Sequence, residues 1–214
     1  MTIRVALRLV SSTLIFAAPC AWADRGALSF DLNAGVGLLR ISAPYVTVPT
    51  SSWGVAPSFN GGLRYAWTNA VEVTLAGFYE LPIRYEYTNV GVQPPESDHA
   101  LPGTLTLNLA RFGVIVGLRY VFGTVVRPFL GAEGGWSHRA YSDVHHLDPA
   151  GRDYNLQLSD FGTDNILLQP LVGLEWEFAD HASISVLARV PILLGPEATV
   201  GVSVSLAFSY SWFL

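Results

Sequence analysis

Along most of this chain, apolar residues alternate with small or polar ones. Leu28, Phe30, Leu32, Ala34, Val36 and Leu38 occupy one set of positions, and Ser29, Asp31, Asn33, Gly35 and Gly37 fill the gaps. A two-residue period puts the two sets on opposite faces of a strand. The same alternation predicts eight strands: Leu28 to Leu38, Val55 to Trp67, Val71 to Tyr79, Leu105 to Phe122, Val126 to Ala140, Ile166 to Phe178, Ile184 to Val190, and Val200 to Leu214. The fourth contains a change of phase. Leu105, Leu107 and Leu109 are odd, whereas Phe112, Val114, Val116, Leu118, Tyr120 and Phe122 are even. Either a bulge near Ala110-Arg111 restores the face, or the odd segment belongs to an extension outside the membrane.

The segments between strands alternate in length. Turns of a few residues follow strands two, four and six, whereas roughly 15 to 25 residues follow strands one, three and five, as in barrels with short turns at one end and long loops at the other. One phrase recurs at the short-turn ends: Gly62-Leu63-Arg64-Tyr65-Ala66-Trp67, Gly117-Leu118-Arg119-Tyr120-Val121-Phe122 and Gly173-Leu174-Glu175-Trp176-Glu177-Phe178. The last strand adds Phe208, Tyr210 and Trp212. These residues predict an aromatic girdle of Tyr65, Trp67, Tyr120, Phe122, Trp176, Phe178, Phe208, Tyr210 and Trp212 at a membrane–water boundary. Tyr79 and Trp136, at the opposite strand ends, are candidates for a second girdle. The predicted fold is all-β: an eight-stranded antiparallel up-and-down transmembrane β-barrel.

Composition supports that choice. Half of the 214 residues are apolar and only 14% are charged, yet no apolar run beyond the N-terminus is long enough for a membrane helix. Residues 1–23 read as a signal peptide: Arg4 and Arg8 open it, Leu9 to Ala18 form its apolar middle, and Ala21-Trp22-Ala23 offers a cleavage site. A lipoprotein signal at Cys20 is disfavoured by Pro19. Residues 24–214 then form the barrel domain, with no thiol and therefore no disulfide. Without Arg4 and Arg8 the chain is more acidic than its formal charge of −5, which argues against nucleic acid as a partner. All twelve basic residues are Arg. That choice suits confined pairing with carboxylates, although genome composition explains it equally well.

Alternation alone leaves open which face looks inward, because a soluble lipocalin-type barrel alternates too. Here the polar face carries Arg64, Arg119, Arg127, Arg139 and Arg189 against Glu72, Glu80, Glu133, Glu175 and Glu177. Five charges of each sign fit a neutralised lumen better than a solvated surface, since buried charge demands pairing. The lumen of an eight-stranded barrel is just wide enough for side chains to fill. These ten residues are expected to cross it as a network and act as a plug.

Candidate chemistry is sparse. His145-His146 lie between Asp143 and Asp148 in a cluster with metal-ligand chemistry, but adjacent strand residues point opposite ways. Asp143-Val144-His145 matches the spacing of outer-membrane aspartyl-type proteases without their further acids. Ser137-His138 carries a nucleophile and a base, which neighbouring strand positions again separate. No catalytic residue, metal or cofactor is expected. The long loops are the places where binding resides on rigid scaffolds. The segment from Tyr79 to Tyr87 with Arg84, continuing to Pro94-Pro95-Glu96, is one such loop; surface decoration is the other reading of it.

The signal peptide, the repeated strand ends, the alternating loop lengths and the aromatic last strand resemble small outer-membrane β-barrel proteins of the OmpA, OmpW and opacity-protein kind. The resemblance implies outer-membrane lipid as surroundings and the barrel-assembly machinery as a partner during biogenesis. That machinery reads a terminal strand usually ending in Phe, whereas this chain ends Trp212-Phe213-Leu214. No peptidoglycan-binding segment follows the last strand, so OmpA-type anchoring is not implied. The expected function is a non-enzymatic envelope scaffold or surface-binding protein of a Gram-negative-type bacterium, with an unknown surface ligand. The alternative is a narrow channel or transporter for small or hydrophobic solutes. An enzyme acting on envelope lipid or peptide is the third class.

Overall fold

The computed structural model describes residues 25–93, 98–154, 161–195 and 198–213. The expected signal peptide, Pro94 to Glu96 and Leu214 lie outside the described residues. Among the described residues, nine strands form one antiparallel sheet: β1 (Ala27–Ser42), β2 (Ser51–Ala66), β3 (Val71–Val92), β4 (Leu101–Val121), β5 (Val126–Leu147), β6 (Phe161–Ala179), β7 (Ala182–Arg189), β8 (Ile192–Leu194) and β9 (Thr199–Phe213). Consecutive strands pair from β1 to β7, β9 pairs with both β7 and β8, and β1 closes the ring against β9 from Ala27↔Phe213 to Leu39↔Gly201. Among the described residues, no helix is long and apolar enough to cross a membrane.

The barrel has eight walls, because β7 and β8 together make one. Both lie between β6 and β9. Val190-Pro191 separates them, since proline has no N–H to give the ladder. The Pro191 carbonyl instead accepts from Gly201 N at 2.9 Å. The eight-stranded transmembrane barrel read from the alternation is therefore the observed fold, with its seventh wall interrupted.

The strands are longer than the alternation predicts, and the extra length lies at the loop end. β3 runs to Val92 rather than Tyr79, and β5 to Leu147 rather than Ala140. The segments left between these strands shorten accordingly, the first of them to 43–50. β4 itself does not bulge at Ala110-Arg111: its odd positions stay inward and its register with β5 runs through unbroken, while the shift against β3 at this level puts the extra residue on β3. The irregularities lie between Glu80 and Ile83 and between Tyr87 and Val90 on β3, and between Thr106 and Asn108 on β4. Pro82 marks the first, again because it lacks a donor.

The change of phase in β4 is a change of environment. Leu105, Leu107 and Leu109 point inward, in line with Arg111, Ile115 and Arg119. On the other strands, too, polarity inverts at one level. Outward Leu28 to Leu38 on β1 give way to Arg40, while inward Ser29, Asp31 and Asn33 give way to Leu39 and Ile41. On β3, outward Leu75 and Tyr79 are succeeded by Arg84 and Glu86, and inward Glu72 and Glu80 by Tyr85 and Tyr87. Below this level the wall is greasy outside and polar inside. Above it the order is that of a water-soluble barrel.

The greasy band fits a bilayer in height. From Phe112 to Phe122 the strand rises about 33 Å along itself, or about 25 Å along the barrel at a tilt of roughly 40°. That matches the apolar belt of outer-membrane barrels. All nine girdle aromatics from Tyr65 to Trp212 stand exposed on the outer face. Tyr120 contacts Phe122 at 4.7 Å between ring centroids, and Trp176 contacts Phe178 at 6.2 Å. Tyr79, Phe112 and Trp136 face outward at the opposite edge.

Candidate functional site

The lumen holds three stacked tiers. The lowest is ionic and draws on six strands. Glu72 and Arg119 are cross-strand partners, as are Arg127 and Glu175, so the pleat aims each pair at the axis. Arg64 reaches from β2 to Glu175 on β6, Nη1 to Oε2, at 2.6 Å. Arg119 Nη2 donates to the same oxygen at 2.8 Å, and its Nε donates to Glu72. Arg127 bridges both carboxylates, at 3.0 Å to Glu72 and 3.2 Å to Glu175. Asp31 lies 3.4 Å from Arg64. Three guanidinium groups thus face three carboxylates. Charge taken this far from water persists only when it is paired and hydrogen-bonded.

The middle tier holds smaller sets. Glu133 accepts from Gln169 Nε2 at 2.5 Å and from Arg189 Nε at 3.0 Å, and Arg189 also donates to Ser205 at 3.0 Å. Arg111 grips Glu80 through Nε and Nη2 and lies 5.3 Å from the Phe78 ring centroid. Arg139 is fully buried and donates to Asn165 Oδ1 at 2.9 Å. Glu177 stands half-buried one inward position nearer the short-turn rim than Glu175. Space is tight. A methyl on Gly117 would lie 2.5 Å from Glu133 Cγ and 2.8 Å from Thr74 Oγ1. A cavity of about 40 Å³ among Asp31, Arg119, Glu133 and Arg189 has room for about one water molecule.

The uppermost tier is apolar. Leu39, Ile41, Tyr85, Tyr87, Val92, Leu105, Leu107, Tyr141, Leu167 and Leu193 form one buried cluster. Tyr87 donates its hydroxyl to the Ile41 carbonyl at 3.2 Å, and the ring of Tyr141 stacks on Phe161 at 4.4 Å.

Of the ten residues expected in the lumen, nine lie buried or nearly so in the two lower tiers, with Glu177 toward the rim. Asp31, Arg111 and Gln169 join them unforeseen. Arg111 was hidden by the supposed bulge; with one continuous alternation it shares the parity of Arg119. Gln169 shares the parity of Glu175, but an uncharged amide gave no reason to single it out.

The histidine-bearing pairs are taken apart. Ser137 is buried in the lumen, whereas His138 points outward, with Nδ1 2.8 Å from Asp164 Oδ1. Trp136 Nε1 donates to the same oxygen at 3.0 Å. These hydrogen bonds, from His138 first, hold the Asp164 carboxyl below its ordinary pKa. Asp143, at φ 50°, accepts from Asn108 at 2.7 Å, whereas His145 meets Asp153 at 2.9 Å. The aspartate–histidine spacing therefore makes no dyad. His146 is turned inward, buried and stacked on Tyr154 at 4.7 Å. Burial lowers its pKa, because the imidazolium form is the one that loses hydration. Among the described residues, no three His, Cys, Asp or Glu side chains gather as metal ligands.

No family model matches the chain, and no curated protein matches it in sequence. Solved structures do match. The outer membrane protein OprG from Pseudomonas aeruginosa superposes with a TM-score of 0.51 at 15% identity, over 87% of this chain and 96% of that one. Neisserial surface protein A (TM-score 0.47, 15% identity, 86% and 97%) and Ail of Yersinia pestis (0.47, 16%, 86% and 98%) are also similar. The eight-walled ring, the outward apolar band and the OprG superposition agree: this chain has the fold of the small outer-membrane β-barrels.

Proposed function

We propose that this is an integral outer-membrane protein that serves as a non-enzymatic envelope scaffold or surface-binding barrel, with its lumen closed by its own side chains. One observation carries the reading: both lower tiers are occupied by buried ionic and polar groups held to one another, and the tier above them is a buried, largely apolar cluster. A solute crossing the axis would have to part Arg64, Arg119 and Arg127 from Glu72 and Glu175, then pass Leu105, Leu107 and Tyr87. Uncompensated buried charge costs several kcal/mol per ion, so this closure is stable rather than gated by thermal motion.

The outward surface above the band supports the surface-binding part. Arg40, Arg84, Glu86, His145 and Arg152 present both signs of charge on rigid strand extensions and loops. The catalytic alternative lacks a built nucleophile, because Ser137 and His138 occupy opposite faces. Single-channel recording in planar bilayers tests the proposal. Long quiet baselines are expected, and a large steady conductance that Glu133→Gln or Arg119→Gln alters would replace the scaffold reading with a channel.

A further inference from the structure

A groove of about 530 Å³ lies on the outside of the barrel, where the β1–β2 hairpin meets the β8–β9 hairpin. Arg40 and Trp53 are register partners on β1 and β2, and both point outward into it. Ser51 Oγ accepts from Arg40 Nε at 2.8 Å, which tethers one edge of an exposed guanidinium. Among the described residues no carboxylate pairs with Arg40. The inward arginines differ: each is held by a carboxylate or an amide. Leu194 and Val200 form the groove's apolar side, and Thr50 and Ser51 its polar one.

The groove's height is as informative as its lining. Arg40 is the first outward residue above Leu38, at the level where the wall changes from greasy to polar. On the outer-membrane reading proposed above, that level is the headgroup layer of the facing leaflet. We infer that the groove holds an anionic phospholipid of that leaflet, one whose phosphate charge no headgroup cation balances. Its phosphate pairs with the Arg40 fork, and its upper acyl chain lies along Trp53, Val200 and Leu194. An arginine fork matches phosphate geometry, and an indole at a membrane boundary offers an apolar face to the chain and an N–H to the headgroup.

The test uses the full chain folded into nanodiscs of phosphatidylcholine containing a minor share of phosphatidylglycerol. Lipids retained on the released protein are counted by native mass spectrometry. Wild type is expected to keep phosphatidylglycerol in preference to phosphatidylcholine. Arg40→Gln should reduce that preference about tenfold, the effect of one charge-assisted contact. Arg84→Gln should leave it intact, Arg84 being another exposed arginine outside the groove. Equal retention of the two lipids by wild type overturns the inference, as does an equal loss in both variants. Inorganic phosphate that strips the phosphatidylglycerol away overturns it as well, since the site then serves a free anion. A mobility difference between unheated and boiled samples, checked for each variant, reports the membrane barrel itself. A failure of the fold in the membrane is thereby distinguished from a failure of the lipid site.

Discussion

Arg64 and Glu175 lie 111 positions apart in the chain and meet at 2.6 Å across the width of the lumen. Glu175 also receives Arg119 and Arg127, so one carboxylate ties four strands together. Its replacement by Ala leaves three buried guanidinium groups with too few acceptors. Glu175→Ala is expected to lower stability by about 3–5 kcal/mol, the cost of an uncompensated buried ion. Urea unfolding in lipid vesicles measures it, and a loss below about 1 kcal/mol would show that water already screens the tier.

The change of polarity along the outer wall predicts a steep dependence on depth. Leu206 lies in the greasy band and Glu86 above it. Leu206→Arg should cost about 2–4 kcal/mol, as charge near the bilayer midplane does. Glu86→Arg should change stability by no more than about 0.5 kcal/mol, as expected for a solvated surface. Folding titrations into bilayers compare them directly. Similar costs at the two positions would mean that the band does not face lipid.

The uppermost tier should respond to pH through His146. Burial keeps this imidazole neutral, with its pKa below the ordinary value. The unfolded chain therefore binds a proton that the folded one refuses, and stability falls as pH drops below about 6.5. Above that value both states are neutral and the effect vanishes. Hydrogen-exchange protection factors, taken relative to intrinsic exchange at each pH, should fall in the strand ends around Val144 and Leu105 between about pH 7 and pH 5. In His146→Phe, which keeps a ring against Tyr154, that fall should disappear.

Detergent gels offer a simpler check. A closed barrel of this kind stays folded in detergent until boiled, so unheated protein should migrate apart from boiled protein. Identical migration, together with recovery in the soluble fraction, would count against the outer-membrane assignment.

Much of this was legible in the chain because period two is a local signal. Leu28 to Leu38 or Val200 to Trp212 each declare two faces without reference to anything else, and the closed ring follows from their number and turns. The ionic residues were legible by the same parity. What stayed hidden depends on depth, which no local pattern reports. Tyr85 and Tyr87 resemble loop aromatics until β4 lies alongside with Leu105 and Leu107, and only the joined tier shows that they are core. The supposed bulge at Arg111 had the same origin. The bulge reading took a change of surroundings for a change of direction; the other reading, an extension outside the membrane, fits the continuous alternation of β4.

That inversion has a mechanical consequence. A barrel coated uniformly in grease can bob and tilt within a membrane, limited only by its length. This one carries a waterline. Sinking by a single row would drag Arg40 and Asp164 into hydrocarbon, and rising by one would lift Leu38 and Val55 into water. Its draught is thus set by chemistry to within about one residue, and the strand extensions stand at a constant height above the greasy band.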